Sequence, residues 1–254
     1  MAYFIEFIDV SKTFDDGRKV LDGISFGVEK GETFAILGPS GVGKTVTLTH
    51  VVGLLKPDSG RIIVDGVDVT EMDESQLAEI RRKVQLVFQS GALFDSLTVW
   101  ENVAFPLEEL GVSEAELEKR VEEKLELVEI GDLADLMPSE LSTGMKRAVA
   151  IARGLAAEPV SILYDEPTTM VDPIMSHTIN NLIRKMQRQL GMTQMVVTHE
   201  IANCAAKVAD HVALLHEGKF VFNGTIEELY ASDHPVVKEF VEDDRIRFED
   251  SNCA

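Results

Sequence analysis

Two cysteines, Cys204 and Cys253, are all the sequence has. A pair so far apart offers neither a disulfide framework nor a zinc-ligand spacing, which fits a reducing compartment. Tryptophan occurs once, and nothing approaches the ~18 consecutive apolar residues that a membrane-spanning helix needs. The opening Met1-Ala2-Tyr3-Phe4-Ile5-Glu6 lacks a basic segment and does not read as a signal peptide. Basic residues are also scarce: Lys+Arg 24 against Asp+Glu 44 leaves a formal net charge of −20. Such a surface repels phosphate backbones, which argues against a nucleic-acid partner. These absences lead us to expect a cytoplasmic chain that reaches a membrane only by docking to another protein. What is present is ordinary for a globular fold: 254 residues, 45% of them hydrophobic, suffice to bury a sizeable core.

The N-terminal part reads as short strands and turns. Phe4–Val10 is rich in strand formers, Asp15-Asp16-Gly17 is a hairpin signal, and Ile24–Val28 and Thr33–Leu37 are further strands. A helix through Leu55 is expected after the glycine-rich turn at 38–43; Lys56-Pro57-Asp58-Ser59-Gly60 stops it, and Arg61–Val64 resumes a strand. From about Glu71 to Met137 charge is dense, and Leu117, Val121, Leu125 and Val128 recur at helical spacing. Ser113 and Glu116 form an S-x-x-E capping box at the start of that helix. This stretch reads as a helical insert between two pieces of an α/β core. Then follow a helix at 144–157, a strand at Val160–Tyr164, a helix at 174–190 and a strand at Gln194–Thr198. A hairpin, Val212–Leu215 with Phe220–Phe222, closes the series. Strands separated by helices imply a parallel sheet covered on both faces. The acidic tail from His234 is expected to fray at Ser251-Asn252-Cys253-Ala254.

Gly38-Pro39-Ser40-Gly41-Val42-Gly43-Lys44-Thr45 fits G-x-x-x-x-G-K-[ST] between an expected strand and helix. Glycines let successive N–H groups turn inward on a phosphate, and the following helix adds its positive end. Lys44 supplies charge to the β- and γ-phosphates, and Thr45 a hydroxyl to Mg²⁺. The apolar strand Ile162-Leu163-Tyr164 ends on Asp165-Glu166. Asp165 is placed to hold Mg²⁺ through water, and Glu166 to polarise an attacking water. Alone, such an Asp-Glu-Pro turn would read as a solvated acidic corner.

At Leu141-Ser142-Thr143-Gly144-Met145 the sequence resembles the signature of ABC-type ATPases, usually L-S-G-G-Q. The resemblance runs through nearly the whole chain in the family's order. It implies an α/β ABC ATPase fold, with a P-loop core on a mainly parallel sheet, an N-terminal antiparallel β-subdomain and a helical insert. Residues 1–234 would form the ATPase domain, with the insert at about 90–157, and 235–254 an acidic extension. Phe14 sits where the family stacks an aromatic on adenine. Gln89 matches the Q-loop glutamine, near metal and attacking water, which links core and insert. Glu166 matches the catalytic glutamate, Asp172 the D-loop aspartate and His199 the γ-phosphate-sensing switch histidine. ATP and Mg²⁺ are the implied ligands. Two copies would close head to tail, with Ser142, Thr143 and Gly144 of one facing the P-loop of the other.

Some positions depart from the pattern. Thr143 replaces a glycine, Met145 a glutamine, and Met170-Val171 stands where Gly-Leu is common. If position 143 takes a left-handed φ, a β-branched residue there costs about 1–2 kcal/mol. In helical φ/ψ only its bulk near the phosphate matters. Slowed but real turnover is the expectation.

The stretch Phe88-Gln89-Ser90-Gly91-Ala92-Leu93-Phe94 through Trp100-Glu101-Asn102 to Phe105-Pro106, with Met145-Lys146-Arg147, looks like the Mla-type ATPase subunits of Mce-associated phospholipid transport. Ala148 stands where that pattern commonly has a second arginine. The resemblance implies a homodimer on the cytoplasmic face of the inner membrane, peripheral through a permease whose coupling helix it receives. An Mce-domain protein and a STAS-domain protein are further implied partners. Leu93, Phe94, Leu97 and Trp100 are candidate groove residues, with insert core as their plainer reading. Another importer, for instance of amino acids, shares this core. A non-transport ABC ATPase such as the iron–sulfur assembly type is a third reading. Val236-Val237-Lys238-Glu239-Phe240-Val241 is a candidate for packing on the neighbouring subunit, or else an amphipathic helix on its own core or a frayed tail.

Overall fold

The computed structural model describes residues 3–252. Met1, Ala2, Cys253 and Ala254, where part of the signal-peptide and frayed-end readings falls, lie outside the described residues. In chain order the main elements are β1 (Ile5–Thr13), β2 (Lys19–Val28), β3 (Thr33–Leu37), α1 (Lys44–Val51), β4 (Ser59–Val64) and β5 (Val67–Asp68). Next come α2 (Glu74–Lys83), β6 (Val84–Val87), α3 (Val99–Glu109), α4 (Glu114–Leu127) and α5 (Thr143–Ala156). Then follow β7 (Ser161–Asp165), α6 (Pro173–Leu190), β8 (Thr193–Thr198), a π-turn (Ile201–Ala205) and α7 (Ala206–Val208). The chain ends with β9 (His211–His216), β10 (Lys219–Gly224), α8 (Ile226–Ala231) and α9 (Pro235–Asn252).

Two sheets result. One is antiparallel, in the order β2-β1-β4-β5, and the other has the order β10-β9-β3-β8-β7-β6. In the second, β6, β7, β8, β3 and β9 pair in parallel, and only β10 runs antiparallel, joined to β9 by Glu217-Gly218. Both turn residues have positive φ, 48 and 77, as a two-residue turn matched to strand twist requires.

β3, β7 and β8 are buried at every position, and their middles, Phe34–Leu37, Ile162–Tyr164 and Met195–Val197, are continuous apolar runs rather than alternating ones, with polar residues at the ends. Their side chains nevertheless alternate between two separate cores. Ala35, Leu37, Ile162, Tyr164 and Val196 join α3–α6 and the C-terminal helices. Phe34, Ile36, Leu163, Met195 and Val197 join α1, α2 and the antiparallel sheet. The parallel sheet is thus the wall between the two.

Several expectations are corrected. The helix after the glycine-rich turn stops at Val51, not Leu55, because Gly53 at φ 65 takes the chain out of the helix, its N–H bonded to the carbonyl of His50. The insert does not begin at Glu71, since α2 leads into β6, a strand of the main sheet paired with β7. Ser113 is the residue at the N-cap of α4, but its side chain makes no capping bond; its carbonyl accepts from Glu116 and Leu117 instead. Reciprocal capping boxes form at Asp73/Gln76, Thr98/Glu101 and Thr225/Glu228. The acidic tail is helical to Asn252, where fraying was expected from Ser251. Val237 of α9 is fully buried, and Val236, Phe240 and Val241 pack on the chain's own core, so this apolar side is not free for a neighbouring subunit.

One buried polar residue shapes the surface of the α3–α5 region. Asn102 on α3 is 0% exposed and fastens the loop before its own helix. Its Oδ1 accepts from the Phe94 N–H, and its Nδ2 donates to the carbonyls of Phe94, Leu97 and Thr98. Without its side chain the Phe94 N–H and the Leu97 carbonyl lose their partner, while the carbonyls of Phe94 and Thr98 keep the N–H groups of Leu97 and Asn102. Asn102→Ala is expected to cost about 2–3 kcal/mol, read as a lower urea midpoint at unchanged slope; an unmoved midpoint would show that the loop is held by other contacts.

Candidate functional site

β3 runs straight into the glycine-rich turn. Gly38 has φ 153, and a Cβ there would lie 2.6 Å from the carbonyl oxygen of Leu215. Gly43, at φ 119, caps α1 and would bring a Cβ to 2.8 Å from the carbonyl of Val20. With no side-chain cap, the first N–H groups of α1 are a ready anion seat. Lys44, 5% exposed, bends back over the turn. Its Nζ donates to the carbonyls of Gly38 (2.7 Å) and Pro39 (3.1 Å) and lies 3.1 Å from Glu166 Oε1.

Asp165 and Glu166 come from the end of β7. Thr45 Oγ1 donates to Asp165 Oδ1 at 2.9 Å, and burial pushes the Asp165 carboxyl up despite that bond. A hydroxyl and a desolvated carboxylate in contact are a hard-oxygen pair suited to a phosphate-bound Mg²⁺. Glu166 adopts a left-handed φ of 48, its N–H held by the carbonyl of Val197. The opposite face of its carboxylate takes three donors: Thr169 Oγ1 at 2.9 Å, His199 Nδ1 at 3.0 Å and the His199 N–H at 3.3 Å. Burial alone would raise this carboxyl, but the His199 bond, the Lys44 ammonium and Thr169 outweigh it and hold the group at about 2. In return the bond from Glu166 raises the His199 imidazole against its burial.

These groups line a cleft of about 400 Å³. Of the expected residues, Phe14, Ser40, Gly41, Gly43, Lys44, Thr45, Gln89, Glu166 and His199 lie along it. Asp165 sits beneath, reached through Thr45. Pro39 and Val42 instead border a neighbouring hollow beside His216. The Arg18 guanidinium stands 5.9 Å over the Phe14 ring. Arg18 and Thr169 were not singled out from the sequence; the hydroxyl three residues past Glu166 was a signal that could have been read.

Ser142, Thr143, Gly144 and Asp172 are not among the residues lining this cleft. Ser142 caps α5, its hydroxyl accepting from the Met145 N–H, and Thr143 is the first helical residue, outside the positive-φ set. The left-handed strain considered for Thr143 is therefore absent there. It occurs at Met170 instead, with φ 60 and 84% exposure, at a cost of about 1–2 kcal/mol where glycine would be free. Asp172 caps α6 through the Met175 N–H. A Cβ on Gly144 would lie 2.6 Å from Met175 Cγ and 3.0 Å from Val171 Cγ1, so glycine lets the starts of α5 and α6 close on each other.

Gln89 is positioned by arginines that the sequence reading gave no such role. Arg147 on α5, 3% exposed, donates to the carbonyl of Phe88, and Arg153 donates to those of Gly91 and Ala92. Of the candidate groove residues, Leu93 and Trp100 pack against the core and Leu97 is half-buried. Phe94 is exposed, its ring 4.8 Å from that of Phe105 and under Arg153.

A glycine-rich anion seat, a buried lysine, and two carboxylates at a strand end beside a histidine define a P-loop nucleotide hydrolase. The match to the ABC transporter family spans residues 21–169, and the chain belongs to that family. It is similar to the methionine import ATP-binding protein MetN 2 of Rhodococcus jostii (strain RHA1), 41% identical over 245 residues, covering 95% of this chain and 72% of that one. It is equally similar to the intermembrane phospholipid transport system ATP-binding protein MlaF of Escherichia coli (strain K12), 40% identical over 243 residues, with 95% and 90% covered. Among solved structures it resembles a dimeric post-hydrolysis state of an ATP-binding cassette bound to ADP and Pi, with TM-score 0.82, 33% identity and coverage of 87% and 98%. CbiO1 of Clostridium perfringens, part of the ABC transporter complex cbiONQ, gives TM-score 0.83, 32% identity and coverage of 97% and 98%. The fold is the ABC ATPase nucleotide-binding fold, and the chain is an ATP-hydrolysing ATPase subunit of a transporter.

The Glu166–His199 pair carries a pH signature. A depressed Glu166 stabilises the fold above its ordinary value of 4.5 and loses that effect as pH falls toward about 2. A raised His199 stabilises below its ordinary 6.5 and loses the effect as pH rises through its folded value. The pair therefore contributes most between 4.5 and 6.5. By NMR titration the His199 ring should ionise above 6.5, and Glu166→Gln should bring it down; an unshifted ring would dissolve the pair.

Proposed function

We propose that the chain is the ATPase of a phospholipid transporter of the Mla type, acting as a homodimer on the cytoplasmic face of the inner membrane through a permease. The observation that carries this reading is the segment 88–106: its sequence resembles the Mla-type form, and it leaves the paired rings of Phe94 and Phe105 exposed. The similarity to MlaF over 95% of this chain supports it. Methionine-type import is the second reading, supported as closely by the similarity to MetN 2. Among the described residues no helix is long and apolar enough to cross a membrane, which fits attachment through partners. An Mce-domain and a STAS-domain protein belong to the proposal as further partners. Residues 90–157 serve as the insert that meets the permease, and 235–254 as an appended segment.

Lys44 and the N–H groups of the P-loop hold the β- and γ-phosphates, and Phe14 carries the adenine. Thr45 and Asp165, with Gln89, hold Mg²⁺, which neutralises phosphate charge when bound. In the arrangement described, Glu166 is a poor base because Lys44 and His199 both claim its carboxylate. A γ-phosphate competes for those same two donors, so nucleotide entry frees Glu166 and raises its basicity toward the attacking water. Ser142, Thr143 and Gly144 of a second copy close the site, and Asp172 couples the two halves.

Glu166→Gln should bind ATP normally and lose turnover by about 10²–10⁴-fold; near-native hydrolysis would place the base elsewhere. Tagged chain purified from native membranes in mild detergent, with partners identified by mass spectrometry, tests the cargo. A polytopic permease with an Mce-domain protein supports the proposal. A permease with a soluble binding protein transfers the chain to nutrient import.

A further inference from the structure

We propose that Asp244 is a positioning residue for His199, and that α9 thereby sets the geometry in which the site turns over ATP. The inference rests on the reading of His199 as the γ-phosphate-contacting group. His199 is followed by Glu200 and then by the π-turn Ile201–Ala205. Glu200 stands at the cap of that turn but makes no side-chain capping bond. Its Oε2 is instead occupied by the Thr168 hydroxyl at 2.7 Å. The cap comes from the other end of the chain: Asp244, 8% exposed, accepts from the Ile201 N–H with Oδ1 at 2.8 Å and from the Ala202 N–H with Oδ2 at 3.0 Å. A carboxylate taking two backbone donors in a buried setting is a strong, directional tie.

The tie is braced on both sides. Val237 on the same helix is fully buried, and Phe240 and Val241 pack on the core, so α9 is a rigid carrier for the carboxylate. Asn180 of α6, 1% exposed, holds the carbonyl of Asn203 in the middle of the turn at 2.7 Å. On the cleft side, Glu166 grips both the N–H and the ring of His199. The histidine is therefore suspended between Glu166 on one side and the Asp244-capped turn two residues on. A π-turn is wider than an α-turn and keeps its shape only where contacts impose it. Without Asp244 the turn can relax to α geometry, which swings the residues before it, His199 among them.

The test uses the full chain, with steady-state ATP hydrolysis as readout. Asp244→Ala should lower kcat about tenfold at unchanged KM for ATP, since a small misplacement of a reacting group costs rate and not ground-state binding. Asp244→Asn keeps one acceptor oxygen and should recover part of the loss. Asp243→Ala, which removes the exposed neighbouring carboxylate, should leave kcat as it is. His199→Ala in the same series separates the two levels. If it retains turnover, the reading of His199 fails and the inference with it. If it collapses while Asp244→Ala keeps parental kcat, the inference alone is overturned. A loss in Asp244→Ala that follows only the folded fraction, with no recovery in Asp244→Asn, assigns Asp244 a merely structural part and also overturns it. Should Asp244→Ala not fold, Asp244→Asn decides: reduced kcat at parental KM supports the inference, and parental kcat refutes it.

Discussion

The buried ion pair between Lys44 and Glu166 is the interaction around which the site is arranged. Removing two charges from water costs several kcal/mol each, and their mutual attraction offsets this only when the remaining donors and acceptors are filled. They are filled here: Lys44 by two P-loop carbonyls, Glu166 by Thr169 and His199. Sheet order makes the meeting unavoidable. β8 lies between β3 and β7, and all three run parallel. Lys44, Glu166 and His199 each follow the end of one of these strands, so they gather at the carboxyl ends of the strands, where open α/β sheets bind ligands.

These central strands and the turns at their ends were the most readable part of the sequence. Thr33–Leu37, Ile162–Asp165 and Gln194–Thr198 are short apolar runs flanked by turns and polar residues, and burial on both faces is what makes them so. The P-loop is legible because its glycines answer steric demands that no other residue meets at 38 and 43. β6 was missed because Val84-Gln85-Leu86-Val87 is a short edge strand following the charged helix α2, and its pattern merges with that charge. The apolar side of α9 is visible in Val236-Val237 and Phe240-Val241, but not the surface it covers, and the part of Asp244 is hidden because a buried aspartate cannot be told from a solvated one by sequence. Arg147 and Arg153 were opaque for a like reason: helix periodicity shows which residues point inward, not which distant carbonyls they find.

The signature segment shows how local backbone settles a substitution. Thr143 begins a helix whose cap is Ser142, so its branching costs little there. Gly144 matters for closeness, because it brings α5 against Val171 and Met175. The start of the signature helix and the start of α6 are thereby one packed unit. The arginines of that same α5 reach the carbonyls around Gln89, so the signature, the Q-loop and the D-loop all converge on α5 and shift together if it shifts.

The position of β3 in the sheet also bears on how the chain is made. Both edges of β3 are filled by strands from far downstream: Thr33 lies opposite Gln194, and Phe34 opposite His211. During synthesis at about 5–20 residues per second, the fully apolar Phe34-Ala35-Ile36-Leu37 waits roughly 10–30 s with neither neighbour made. Through that interval the P-loop has no glutamate or histidine to face, and the nascent chain carries a bare strand open on two sides. In that window the antiparallel sheet with α1 and α2 can cover the Phe34 and Ile36 face, but the two hydrogen-bonding edges of β3 stay unpaired and open to other chains until β8 and β9 emerge.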